Sequence, residues 1–137
     1  MAEARDREWE RDGRIVNAKA TPRPGKARPT YDNHLTMITC YLRYIVDPNK
    51  LKEFEHYGKL WIPLVEKFGG QHHGYFLPSE GANNVALALF SFPSLALYEA
   101  YRHQSFDDPE CQAAFRYAQE TQCIVSYERS FFRPVFE

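Results

Sequence analysis

From residue 34 onward the chain shifts between two hydrophobic rhythms. Leu35 to Val46 is dense in Ile, Thr, Tyr and Val and reads as a strand. Its alternate positions are Ile38, Cys40, Leu42, Tyr44 on one side and Met37, Thr39, Tyr41, Arg43 on the other, and neither set is plainly solvent-facing. At Asp47-Pro48 the period changes. Asp as N-cap and Pro at the first position start a helix, and Leu51, Phe54, Tyr57, Trp61, Leu64, Val65 and Phe68 follow at helical spacing. Gly69-Gly70 ends it. Pro63 removes a bond to the carbonyl of Lys59, which predicts a kink in the last two turns.

Gln71 to Leu77 is a second strand, Ser79 to Asn84 a polar loop, and Val85 to Phe92 a third strand that is apolar on both faces. Ser94 caps a second helix running to about His103. Asp108-Pro109 repeats the Asp-Pro start for a helix to about Thr121, and Cys123 to Phe132 is the last strand, stopped by Pro134. The order β-α-β-β-α-β predicts an α+β, ferredoxin-like fold: one antiparallel four-stranded sheet, strand order 4-1-3-2, with helices on one face. A sheet with one wet face alternates apolar and polar residues. Strands one, three and four do not alternate cleanly, so the uncovered face needs a cover. A second copy related by a two-fold axis supplies one, which predicts a homodimer.

Residues 1–33 follow another rule. They hold eight Lys/Arg and six Asp/Glu, a net of +2 that leaves −3 for the rest. Their large apolar residues are essentially Trp9, Ile15 and Val16, and Pro22, Pro24 and Pro29 exclude helix or central strand over that stretch. Such a segment cannot offset its ordering entropy by burial. The expected division is a disordered polar tail over residues 1–33 and one folded domain over residues 34–137. The net charge of −1 gives no nucleic-acid footprint, and no apolar run is long enough to span a bilayer. Acidic residues among the first twelve argue against a presequence, and the charged start argues against a secretory signal. Cys40, Cys111 and Cys123 form no CxxC pair and read as reduced core thiols, pointing to the cytoplasm.

In order along the chain, Met37 to Leu51, Phe54, Trp61-Ile62-Pro63, Gly69-Gly70, Gly74-Tyr75-Phe76, Tyr127-Glu128-Arg129 and Phe131 to Pro134 together resemble a NIPSNAP domain over about residues 37–136. That resemblance implies the dimeric α+β barrel superfamily, a homodimer, and a cavity between sheet and helix layers. It implies no reaction. Other branches of the superfamily include cofactor-independent monooxygenases and haem-degrading oxygenases, a likeness of fold alone.

The residues suited to chemistry are few. His72 and His73 are neighbours on a strand and so point to opposite faces, which prevents both from serving one metal. Which of them faces a cavity is open. One reading is a pocket donor or base, the other a hydrogen-bonded His at the sheet edge or dimer seam. Arg43 and Glu128 lie on neighbouring strands, and a buried guanidinium needs a partner. They are either a structural ion pair or an anchor for an anionic or carbonyl group. Tyr41, Trp61, Tyr75 and Tyr127 line a cavity or simply fill a core. Glu80 and Asn83, in the loop after strand two, are hydrogen-bonders near one mouth of the expected barrel. The candidate ligand-binding set is therefore Tyr41, Arg43, Trp61, His73, Tyr75, Glu80, Asn83 and Glu128, with His72, His73 and Trp61 as catalytic candidates. There is no Cys/His cluster for a metal, no nucleotide-binding motif and no GxSxG, so no cofactor is called for. The leading expectation is a dimer binding a small, mostly apolar molecule. A cofactor-independent oxygenase or isomerase and a non-enzymatic interaction protein are the alternatives.

Overall fold

The computed structural model describes residues 36–136; the expectation of a tail over residues 1–33 lies outside them. The elements are β1 (Ile38–Val46), a 3₁₀ turn (Pro48–Lys50), α1 (Leu51–Lys67), β2 (Gln71–Phe76), β3 (Val85–Phe92), α2 (Leu95–Ser105), α3 (Pro109–Thr121) and β4 (Ile124–Phe132). All strand pairs are antiparallel, in the order β2-β3-β1-β4. This is the expected ferredoxin-like arrangement, read from the other edge.

The starts and stops have the local causes the sequence suggests. The Asp108 carboxylate accepts from Cys111 N at 3.0 Å, with Pro109 behind it. Ser94 Oγ accepts from Leu97 N at 3.2 Å. Asp47 accepts from Asn49 N at 2.9 Å, but the turn it caps is 3₁₀, and the α-helix proper begins at Leu51. At the far end of α1, Gly70 N donates to Val65 O at 3.0 Å, and Gly69 takes a φ of +96° that few other residues tolerate. The helix passes through Pro63 to Lys67.

Register decides the faces. Cys40, Leu42 and Tyr44 of β1 lie opposite Phe90, Ala88 and Ala86 of β3, and all six are buried under the helices. Thr39, Tyr41, Arg43 and Ile45 share the other face with Ser91, Leu89, Leu87 and Val85. On β4 that same face carries Ser126, Glu128, Ser130 and Phe132. The uncovered surface is thus mostly apolar on β3, mixed on β1 and mostly polar on β4. The helix-side core is a layer of aromatic rings: Tyr44, Phe54, Tyr57, Trp61, Phe90, Phe92, Tyr98 and Tyr101 are each at most 4% exposed. The three thiols are free and buried. Burial pushes those of Cys40 and Cys111 up to about 12, so they behave as small apolar groups.

Candidate functional site

β2 carries one residue too many for its partner. His72 pairs with Phe90 and Gly74 with Leu89, so His73 is an extra residue, a β-bulge. The bulge resets the alternation. His72 and Tyr75, three apart, both turn toward the helices, and their rings stack at 5.1 Å and 15°. His73 turns to the open face. The candidates therefore divide between two places.

The first is a small pocket between the layers. It is lined by Leu42 and Tyr44 of β1, Tyr57, Trp61 and Val65 of α1, His72 and Tyr75 of β2, Phe90 of β3 and Tyr101 of α2, and it encloses about 10 Å³. Tyr57 and Trp61 share a face of α1 because they are four residues apart. The hydroxyls of Tyr44 and Tyr75 neighbour each other, and burial raises both pKa values, so the phenols stay protonated. Gly74 N–H donates to His72 Nδ1 at 2.9 Å. An acceptor nitrogen carries no proton, so the neutral ring holds its proton on Nε2. Burial first, and the neighbouring His73 second, push the His72 pKa down to about 4. Its Nε2–H and the Nε1–H of Trp61 are buried and meet no acceptor among the described residues.

The second place is the open sheet face. A groove of about 410 Å³ there is lined by Thr39, Tyr41, His73, Leu89, Phe132 and the chain end Pro134 to Phe136. His73 Nε2 lies 2.8 Å from Ser91 Oγ, which lies 2.7 Å from Thr39 Oγ1, a short polar chain in apolar surroundings. Arg43 and Glu128 pair on this face, as the strand order implies, with Nη1 and Oε2 at 3.5 Å. In the single chain their side chains are 40% and 65% exposed, so the pair is not buried as the sequence reading supposed. Such a pair is worth about 0.2–1 kcal/mol. A double-mutant cycle on Arg43→Ala and Glu128→Ala is expected to give a coupling in that range by chemical denaturation of the monomeric species, and several-fold more where a second copy covers the face. A large coupling in a monomer would contradict the observed exposure.

Trp61 and Tyr75 thus belong to the inner pocket, and Tyr41, Arg43, His73 and Glu128 to the outer face. Glu80 and Asn83 are exposed in the β2–β3 loop and line neither cavity. Tyr127 packs against Tyr44 at 6.2 Å on the helix side. The inner walls missed from the sequence, Tyr44, Tyr57, Phe90 and Tyr101, carried a signal only as members of the apolar periodicities. Among the described residues, no group of three or more His, Cys, Asp or Glu is placed to hold a metal ion, and no helix is long and apolar enough to cross a membrane.

Comparison with known proteins agrees with the fold. No curated protein matches the sequence. The chain is similar to a NIPSNAP-like domain protein from Burkholderia xenovorans, at 21% identity and a TM-score of 0.60 over 73% of this chain and 86% of that one. It is similar to a NIPSNAP family protein of unknown function from Agrobacterium tumefaciens, at 18% identity and a TM-score of 0.63 over 72% and 88%. A putative antibiotic biosynthesis monooxygenase from Bacteroides thetaiotaomicron shares 16% identity, with a TM-score of 0.55 over 75% and 93%. At such identities these likenesses speak for the fold alone. The sequence model of the NIPSNAP family matches residues 41–136, and the chain belongs to that family.

Proposed function

We propose that two copies of this chain pair through their open sheet faces, and that each holds a small, mostly apolar molecule in the pocket between its sheet and helices. The domain responsible is residues 34–137, with residues 1–33 as a polar extension, in a cytoplasmic setting that suits three free thiols. The observation that carries the binding reading is the pair of ring N–H donors, His72 Nε2 and Trp61 Nε1, left without acceptors on the walls of an aromatic pocket. A buried donor without a partner costs about 1–3 kcal/mol, and a ligand acceptor relieves that cost. The dimer reading is supported by the apolar stretch Val85, Leu87 and Leu89 of β3 with Tyr41 and Ile45 of β1, and by Phe76 and Phe132, about half exposed in the single chain.

The reading assigns no reaction. In the oxygenase or isomerase alternative, His72 would act as a base. Its Nδ1 already accepts from Gly74 N–H, and a pKa near 4 makes it a weak proton acceptor at neutral pH. The ring is better suited to donating a hydrogen bond.

A panel of small aromatic and aliphatic molecules, titrated while following the indole N–H resonance of Trp61, tests the proposal. A ligand is expected to shift that resonance, and His72→Ala is expected to weaken its affinity about tenfold. A panel that binds nowhere, or only at the open face, would overturn the pocket and favour an interaction protein.

The same histidine sets a pH dependence. Its folded pKa of about 4 lies below the ordinary value of 6.5, so between those pH values the unfolded chain binds the extra proton. Stability from neutral His72 is complete above pH 6.5 and falls as the pH drops toward 4. The loss is expected to be about 1–2 kcal/mol, less than the shift alone implies, because the ring is partly exposed. Denaturation midpoints for wild type and His72→Phe should diverge across that window. Parallel curves would show that His72 titrates normally.

A further inference from the structure

The inner pocket encloses about 10 Å³, room for about one water. The reason is that a ring of the chain itself fills it. Tyr75 lies flat against His72, stacks on Tyr44 at 6.2 Å and 26°, and meets Phe54 edge-on at 5.8 Å. Its remaining side rests on Gly58 of α1, where an added Cβ would stand 2.8 Å from Tyr75 Cγ. A helix-interior glycine destabilises by about 1 kcal/mol relative to alanine, and the space for this ring accounts for its presence.

Tyr75 also marks the mouth. It and His72 are the wall residues of this pocket that are not fully buried, and both stand on β2, an edge strand. The bulge and Gly74, at a φ of +112°, lie between them. Glycine and an unpaired bulge residue let the strand change its path locally.

We propose that Tyr75 is a built-in occupant of the ligand slot, and that the guest is a single-ring phenol that lies between Gly58 and His72 when the Tyr75 side chain swings out past the β2 edge. This rests on the pocket between the layers being the binding site. The slot is one ring thick, which selects a flat monocyclic guest. Its imidazole wall supplies a stacking surface. Departure of Tyr75 takes away the hydroxyl that neighbours that of Tyr44, and a phenolic hydroxyl on the guest puts one back.

The energetics give a measurable signature. A guest that needs the slot empty binds with an apparent affinity reduced by the fraction of molecules whose slot is open. The probe is p-cresol, which is the tyrosine side chain as a free molecule, with toluene as the control lacking the hydroxyl. Both are titrated by calorimetry into wild type, Tyr75→Val and Gly58→Ala. Valine keeps the strand well served. Wild type is expected to bind p-cresol saturably. Tyr75→Val is expected to bind it at least about tenfold more tightly, since removing the occupant removes the reduction in open fraction. Gly58→Ala is expected to bind at least about tenfold more weakly, because the new Cβ takes space from any ring in the slot. Toluene is expected to bind Tyr75→Val about tenfold more weakly than p-cresol does, with Tyr44 left unpartnered. If Tyr75→Val fails to fold, wild type and Gly58→Ala still decide the matter.

Binding to Tyr75→Val but not to wild type would overturn the inference and make Tyr75 a fixed core residue. Wild-type binding that responds to His72→Ala but to neither Tyr75→Val nor Gly58→Ala would leave the pocket in place and remove the slot. No binding to any of the three proteins would remove both.

Discussion

Leu89→Glu is expected to yield a folded monomer. Leu89 stands on β3 between Tyr41 of β1 and Gly74 of β2 in the sheet register, on the face that the helices do not cover. In the single chain it is partly exposed and lines the open groove, so a carboxylate there remains hydrated and the monomer loses little. In a pair related by a two-fold axis every contact occurs twice, so two carboxylates are buried without partners at about 3–5 kcal/mol each. The dimer dissociation constant is then expected to rise at least about 10⁴-fold. The neighbouring position gives the opposite outcome. Ala88 is fully buried, faces the helices and lies opposite Leu42 and Tyr75, so Ala88→Glu is expected to prevent folding. Sedimentation at micromolar concentration together with thermal melts reads both. A wild-type monomer, or a Leu89→Glu dimer of unchanged affinity, would remove the pairing of sheet faces.

That contrast marks how far the sequence was legible. The elements were readable because each is started or stopped by local chemistry: Asp47-Pro48, Gly69-Gly70, Ser94 and Asp108-Pro109 act within a few residues of themselves. Strand order followed from connection rules, and it placed Arg43 beside Glu128 before any distance was known. The faces of β3 were another matter. Val85, Ala86, Leu87, Ala88 and Leu89 are all apolar, and only the pairing register shows that the alanines point at the helices.

The site was less legible, because it depends on a feature with no local signature. Strict alternation would have sent His72 and Tyr75 to opposite faces. The extra residue at His73 puts them on one face and creates their stack. Gly58 shows the same limit. Within the helix it is only a weak helix former, and its purpose is evident once Tyr75 is seen to lie against it. Glu80 and Asn83 looked attractive for the opposite reason: polar loop residues suggest function by type, whereas the loop they occupy reaches neither cavity. Arg102 went unnoticed because its helix is amphipathic only weakly in sequence, yet it is 1% exposed, with its guanidinium 5.1 Å from the centre of the Phe106 ring.

Phe54→Ala is expected to be the most destabilising single truncation near the site. Phe54 is 0% exposed. Its ring meets Tyr44 at 5.0 Å, Tyr75 at 5.8 Å and Tyr57 at 5.9 Å, so it joins α1 to two of the three strands that carry the pocket walls. Removing a buried phenyl costs the transfer of its apolar surface and leaves a cavity, together about 3–5 kcal/mol. In a domain of this size that lowers the melting midpoint by at least about 12 °C. The cavity borders Tyr44 and Tyr75, so the same variant is expected to loosen the pocket, visible as faster exchange of the Tyr44 and Tyr75 backbone amides. Phe54→Leu keeps most of the volume and is expected to cost less than half as much. Chemical denaturation of the three proteins measures the series. A Phe54→Ala loss below about 1 kcal/mol would mean that the neighbouring rings collapse into the space. The aromatic layer would then be plastic rather than a preorganised frame for a ligand.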